Sequence, residues 1–261
     1  MRIEFLTQDD PIYVFTFFDE FVRKYGAEFE ISQISASRAM GKRRRWQMVK
    51  ELTQLYGIVG VIRLVSGLVA SRILGYFPMK NGAARYWTLP QLCRAYGISY
   101  QQVSNPNDSS FIESIRRRNP ELLISVACPY ILKAPVLAVA PKGAINIHHA
   151  PLPRYKGMMP TFWQMFHGEK SVGLTIHYMV EKIDEGEALL RDEQNIDPGD
   201  TLHTLIQRSK RHGAHCMAKV LRQVAQGSVK PTAMDHSKGS YFTFPTAAEI
   251  SEFRRRNLRP I

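Results

Sequence analysis

Cysteine is scarce in this sequence. Cys93, Cys128 and Cys216 lie far apart and without metal-ligand spacing, which argues against a disulfide framework or a zinc pattern; no metal is expected. Acidic residues are also in deficit, 23 against 35 lysines and arginines, for a formal charge of +12. Part of the excess sits in clusters at Lys42 to Arg45, Arg116 to Arg118 and Arg254 to Arg256. Any single basic run is ordinarily solvated surface, but the net sign raises the expectation of an anionic ligand. A small phosphorylated substrate ranks ahead of nucleic acid, because basic charge alone gives a salt-dependent and sequence-blind attraction. Internal repeats and low-complexity tracts are lacking too. So is a long apolar leader: Met1 to Leu6 enters a short strand pattern that contains Glu4, and the expectation is a cytoplasmic protein.

What is present is an ordinary globular composition, 44% hydrophobic and 22% charged over 261 residues, enough chain for one large core with a modest appendage. Strand-like runs at 1–6, 29–34, 98–103, 122–127 and 144–147 alternate with helical spacing at 11–25, 46–55, 89–96 and 109–118. Further strands are read at 172–180 and 188–196, and a long helix opens at Gly199-Asp200-Thr201 and reaches about Gln226. Such alternation predicts an α/β fold, Rossmann-like, with a mostly parallel sheet and helices on both faces. The predicted organisation is one domain over residues 1–228, interrupted by an apolar helical insertion near 46–88, and a short C-terminal extension over 229–261. A polar, basic loop is expected from Ser35 to Arg45, at a strand's end where α/β sheets place ligand sites.

Tyr56 to Phe77 is almost wholly apolar apart from Arg63, Arg72 and a few Ser and Gly. These arginines are nine residues apart, so at about 100° per residue they point to opposite sides of a helix. Charges on different faces argue against a transmembrane segment. The expectation is a helix packed on the sheet or buried between oligomer subunits, with peripheral membrane contact as the alternative.

Asn146-Ile147-His148 carries the chemistry. At strand spacing its amide and imidazole project to the same side, where an amide N–H could donate to a developing oxyanion and a histidine could carry a proton near neutral pH. The run Asn146-Ile147-His148-His149-Ala150-Pro151-Leu152-Pro153-Arg154-Tyr155-Lys156-Gly157 resembles the signature of the folate-dependent formyltransferases, such as the methionyl-tRNA formyltransferase catalytic domain. The likeness continues through Pro160, Trp163, Gly168 and Gly173-Leu174-Thr175-Ile176 to Asp184-Glu185-Gly186.

That resemblance implies the formyltransferase fold, a catalytic set of Asn146, His148 and Asp184, and 10-formyltetrahydrofolate as co-substrate. The amide and imidazole would stabilise the tetrahedral oxyanion, while Asp184 would accept a proton or orient the imidazole and a water. The pterin would lie against Cys128, Pro129, Tyr130, Ile131 and Leu132 and against the turn at Ile183. Two positions depart from the family pattern. His149 follows the catalytic histidine and is read as structural, and Lys156 replaces a common arginine, keeping charge but losing the bidentate fork.

The implied acceptor is a small amine, phosphorylated or nucleotide-linked, with an amino-sugar nucleotide first and tRNA behind it. The carboxylates of Thr7-Gln8-Asp9-Asp10-Pro11 would repel the phosphate of a glycinamide ribonucleotide, and residues 229–261 are short for a tRNA-binding β-domain. A formyltetrahydrofolate hydrolase and an inactive basic scaffold are the rival readings.

Overall fold

The computed structural model describes residues 1–38 and 45–261, without the side chains of Arg45 and Met48. Strand β1 (Arg2–Asp9) leads into α1 (Val14–Tyr25), β2 (Glu30–Arg38) and α2 (Arg45–Gly75). Next come α3 (Leu89–Tyr96), β3 (Tyr100–Gln102), α4 (Ser109–Arg118), β4 (Leu122–Val126), α5 (Ala134–Leu137) and β5 (Ala144–His148). A short β6 (Lys156–Gly157) and α6 (Pro160–Phe166) precede β7 (Ser171–Tyr178), β8 (Ala188–Asn195) and α7 (Leu202–Ala225). Residues 229–261 hold a 3₁₀ turn, β9 (Tyr241–Phe242) and α8 (Ala247–Arg255).

Seven strands form one sheet in the order β3-β2-β1-β4-β5-β7-β8. Pairing is parallel from β3 through β5, whereas β5-β7 and β7-β8 are antiparallel. Helices α1 and α7 cover one face around the buried Phe5, Phe17, Phe18 and Phe21; α4 and α5 cover the other around Leu6, Ile115, Leu123 and Val136. This is the mostly parallel α/β sheet expected, with one strand, β7, running against the rest.

Local chemistry sets the helix ends. Thr88 caps α3 by accepting from the Gln91 amide, and Thr201 caps α7 in a capping box with Thr204, each satisfying first-turn N–H groups that have no partner inside the helix. Asn119 ends α4 in the left-handed region, a backbone conformation that asparagine tolerates better than most residues.

Two expectations need correction. The loop expected from Ser35 to Arg45 does not include Ser35 to Arg38, which pair in β2 alongside β1, or Arg45, which opens α2; residues 39–44 lie outside the described residues. The apolar segment also differs from the helix-on-sheet reading. Helix α2 breaks at Gly57, whose φ of 71° is non-helical. Beyond that break Ile58, Ile62, Val65, Val69 and Ile73 are between 48% and 71% exposed. Within this chain only the opposite edge of the helix meets protein among the described residues.

The C-terminal residues return to the body of the molecule. Phe253 of α8 stacks on Phe162 at 4.6 Å, and Phe242 of β9 stacks on Trp163 at 4.7 Å. Arg254 donates to the carbonyls of Gln54 and Leu55 at 2.7 and 2.9 Å, so α8 holds the first half of α2.

Candidate active site

One cleft of about 2100 Å³ opens at the carboxyl ends of β1 to β5, where an open α/β sheet leaves room for a ligand. Asn146, His148, Asp184, Cys128, Pro129, Tyr130, Ile131, Leu132 and Ile183 all line it, so every site residue expected from sequence faces the same space.

Asn146 and His148 project from the end of β5 two residues apart. Antiparallel register sets His177 of β7 opposite Asn146. The Asn146 Nδ2 donates to His177 Nε2 at 3.2 Å, and His177 Nδ1 donates to the Tyr178 carbonyl at 2.8 Å. An amide nitrogen has only protons to offer, so His177 accepts at Nε2 and carries its proton on Nδ1. His148 has the reverse tautomer. Its Nε2 donates to the Tyr155 carbonyl at 2.8 Å, leaving Nδ1 with a lone pair that faces Asp184 Oδ2 at 3.6 Å.

Asp184 sits between the two imidazoles, its other oxygen 3.6 Å from His177 Nε2. Burial alone would raise its pKa, but attraction to the protonated form of His148, with His177 and the Gly157 amide, outweighs burial and lowers it, so the carboxylate stays charged at neutral pH. Burial is the main reason that the His148 pKa lies below its ordinary value, with Asp184 partly opposing it. A neutral imidazole facing a carboxylate can take a proton at Nδ1 and hold it as an ion pair. It cannot donate from Nδ1 until it has done so.

The supports for this trio explain several nearby residues. Thr175 Oγ1 accepts from the Leu152 amide at 3.1 Å and donates to the Ala150 carbonyl at 2.8 Å. Gln164 bridges the His149 carbonyl and the Gly173 amide at 3.0 and 2.8 Å. Together they fasten the loop after β5 to β7. Gly186, two residues past Asp184, is needed for close approach, because a Cβ there would collide with the Tyr178 carbonyl. Gly157 has φ 93° and would collide with the Phe242 carbonyl, so its amide can reach Asp184 only while that position is glycine.

The wall from Cys128 to Leu132 is pinned by Asn107, which donates to the Ile131 carbonyl at 3.0 Å and accepts from the Lys133 amide at 2.8 Å. Ile131 and Ile183 are both largely exposed into the cleft region, an apolar pair suited to a flat heteroaromatic ring flanked by main-chain polar groups. Burial pushes the Cys128 thiol up to about 11, with a main-chain hydrogen bond from Tyr130 opposing it; the thiol is therefore inert at neutral pH. His149 leaves the strand end toward α7, where Nδ1 bonds Ser209 Oγ at 2.9 Å, in keeping with a structural place.

Sequence reasoning missed the opposite wall. Lys210 of α7 is buried, lines the cleft and makes no hydrogen bond or ion pair with the described residues. Burial lowers its pKa to about 8, partly countered by the charge of Asp10. Asp10 accepts from the Ile12 and Tyr13 amides at 2.9 and 3.1 Å, while Tyr13 bonds Tyr56 at 2.8 Å and His203 at 3.0 Å. Arg38 and Arg72 add positive charge to the same wall. Only a helix phase drawn onto the cleft could have singled out Lys210, and that phase is tertiary information.

Away from the cleft, Cys216 approaches Asp192 at 3.4 Å and His212 at 3.5 Å, and His212 lies 3.6 Å from Asp192. The sequence spacing gave no sign of this trio, because Asp192 comes from β8 and the other two from one turn of α7. Burial and Asp192 push the Cys216 thiol up to about 12, which keeps it protonated and able to donate to the carboxylate.

The α/β sheet and the β7–β8 connection gather an amide, two imidazoles and a carboxylate in one cleft, groups able to donate to an oxyanion and to move a proton. Residues 80–221 match the Formyl transferase family, and the chain belongs to that family. A methionyl-tRNA formyltransferase of Clostridioides difficile (strain 630) is 33% identical over 142 residues, which are 54% of this chain and 46% of that protein; the match thus spans about half of that relative's length. Among solved structures, glycinamide ribonucleotide transformylase 1 from Symbiobacterium toebii aligns over 90% of this chain and 94% of its own, with TM-score 0.60 and 16% identity. A sugar N-formyltransferase from Shewanella sp FDAARGOS_354 aligns over 98% and 79%, with TM-score 0.56 and 18% identity. At these identities the two structures share the fold.

Proposed function

We propose that this chain transfers the formyl group of 10-formyltetrahydrofolate to the amine of a phosphorylated or nucleotide-linked acceptor, an amino-sugar nucleotide before all others. The carrying observation is the convergence of Asn146, His148 and Asp184 on one cleft. In this reading the pterin rests between the Cys128 to Leu132 wall and Ile183. The acceptor nitrogen bonds to the formyl carbon, the carbon–N10 bond breaks, and tetrahydrofolate leaves with a proton on N10.

Asn146 supplies an N–H to the oxygen as negative charge develops there. His148 removes the amine's proton at Nδ1, the nitrogen left free by the Tyr155 carbonyl, and returns it toward the leaving nitrogen. Asp184 stabilises the imidazolium while it lasts. The oxyanion role expected of His148 therefore follows its protonation. Lys210, with Arg38 and Arg72, receives the acceptor's anionic group; a buried ammonium without a partner among the described residues is otherwise costly.

Support for a nucleotide-linked sugar comes from this basic wall and from the sugar N-formyltransferase that shares the fold. Support for tRNA comes from the methionyl-tRNA formyltransferase similarity. Release of tetrahydrofolate is the test, run with no acceptor and with aminosugar nucleotides, aminoacyl-tRNA and free amino acids. Acceptor-dependent release is expected. Release that ignores every amine would make the protein a hydrolase, and failure to bind the folate would make it a scaffold.

A further inference from the structure

We infer that the second half of α2 seats this protein on an anionic lipid bilayer, with the helix lying in the interface plane and the mouth of the cleft beside the lipid. The stripe Ile58, Ile62, Val65, Val69 and Ile73 follows spacings of four, three, four and four, so it covers an arc of only about 80° at 3.6 residues per turn. All five are exposed β-branched side chains, forming one continuous apolar face that the described residues leave open. Monomeric soluble proteins seldom leave such a face uncovered.

The charge around the stripe selects the occupant. From Leu52 to Asn107 the sequence has no aspartate or glutamate, yet it carries Arg63, Arg72, Lys80, Arg85 and Arg94. Arg63, Arg72, Lys80 and Arg85 are exposed. A second copy of the chain would bring this one-signed surface against itself, whereas an anionic headgroup layer complements it. Aromatic side chains stand at both ends, Trp46 before the break and Tyr76 and Phe77 after it, all exposed, the positions where amphipathic rings settle at a membrane boundary.

By length and composition Val49–Gly75 could cross a bilayer, and just 11% of its most apolar window is buried. Its attachments favour lying flat. Tyr56 is bonded to Tyr13 at 2.8 Å, and Gln91 donates to the carbonyls of Leu74 and Phe77 at 3.0 and 2.6 Å. Val61 and Leu64 pack on the cluster containing Phe162 and Phe253. One face and both ends thus belong to the protein, leaving a single face for lipid. Because Leu68, Arg72, Gly75 and Tyr76 also line the cleft, a chain docked by this stripe opens its cleft next to the headgroups.

The test is co-sedimentation of the full chain with vesicles of phosphatidylcholine alone or of equal parts phosphatidylcholine and phosphatidylglycerol. Binding to the anionic vesicles, weakened by high salt and reduced on the order of 10-fold or more by Ile62→Glu with Val69→Glu, is expected from the apolar area and charge involved. The unfolding midpoint of the double variant checks that it is folded, and a milder Ile62→Ser with Val69→Ser replaces it if it is not. Several outcomes overturn the inference: no binding, equal binding by wild type and variant, a stable dimer that the variant splits, or retention in the bilayer through alkaline carbonate washing, which marks a spanning helix. No arm of this experiment measures turnover, so its failure leaves the formyl-transfer reading standing.

Discussion

The strand-end trio and the outer face of α2 are opposites within 261 residues. At the trio the polar groups are held in place: Asn146 on His177, His148 on the Tyr155 carbonyl, Asp184 between two imidazoles. On α2 five β-branched side chains stay about half exposed or more among the described residues. Polar groups must be placed to within tenths of an ångström to be useful, and the packing of β5 against β7 supplies that placement. Apolar surface needs no such alignment. Its driving force is non-directional and proportional to area, so a stripe can remain ready for any partner that excludes water.

Breaking the trio should have the largest effect. Asn146→Ala removes one oxyanion donor and should lower formyl transfer by roughly 100 to 1,000-fold; Asp184→Asn should do at least as much, because it removes the charge that holds the His148 imidazolium. Both should keep folate binding, read by fluorescence titration, and an unchanged unfolding midpoint. Full activity in either variant would overturn the assignment.

Lys210 is a link between the two regions, being buried like the trio yet unpaired like the stripe. Lys210→Met should raise the acceptor KM about 10-fold with a smaller change in kcat, while stabilising the fold by about 1 kcal/mol or more, since an unpaired buried ammonium is removed. Because burial holds this ammonium's pKa at about 8, acceptor affinity in the parent protein should fall as pH rises through about 8, and the variant should lose that dependence. Equal KM values would remove Lys210 from acceptor binding.

A subtler contrast is in pH-dependent stability. Burial lowers the pKa of His148 and lowers that of His149 much further below 6.5. The unfolded chain therefore takes up protons on falling through 6.5 while the folded chain does not, so stability is complete above 6.5 and declines below it. Unfolding midpoints measured from pH 7.5 to 5 should fall, and His149→Leu should flatten the curve. A curve as steep in the variant as in the parent would assign the loss to other groups.

The smallest effect is expected on the stripe. Ile62→Ser and Val69→Ser should each alter stability by no more than about 0.5 kcal/mol, whereas Phe253→Ala, which empties a site packed against Phe162, should cost about 3 to 5 kcal/mol. Denaturant unfolding measures both. If the stripe variants proved as damaging as Phe253→Ala, the face would be covered in solution.

Much of the fold was legible in the residues, for identifiable reasons. Apolar runs such as Leu122–Val126 suit a strand buried on both faces, and Thr201 before the apolar spacing of α7 marks a capped start. The site was legible where two residues share a strand, as Asn146 and His148 do, or where a motif carries the family pattern to Asp184. His177, Lys210 and the Tyr155 carbonyl were not. His177 becomes a partner of Asn146 through antiparallel register, Lys210 through the rotation of α7, and a carbonyl has no side-chain signature.

Composition and periodicity, then, decided by themselves that this chain folds as alternating strands and helices, since those patterns are local and each element answers to its own neighbours. What tertiary structure alone decided is which side of each element is inward. The same apolar run that reads as core from Tyr56 onward is half surface, because burial depends on what lies opposite. The same reason gives His148 one free nitrogen: a strand cannot specify by its own sequence which carbonyl will fold back to meet it.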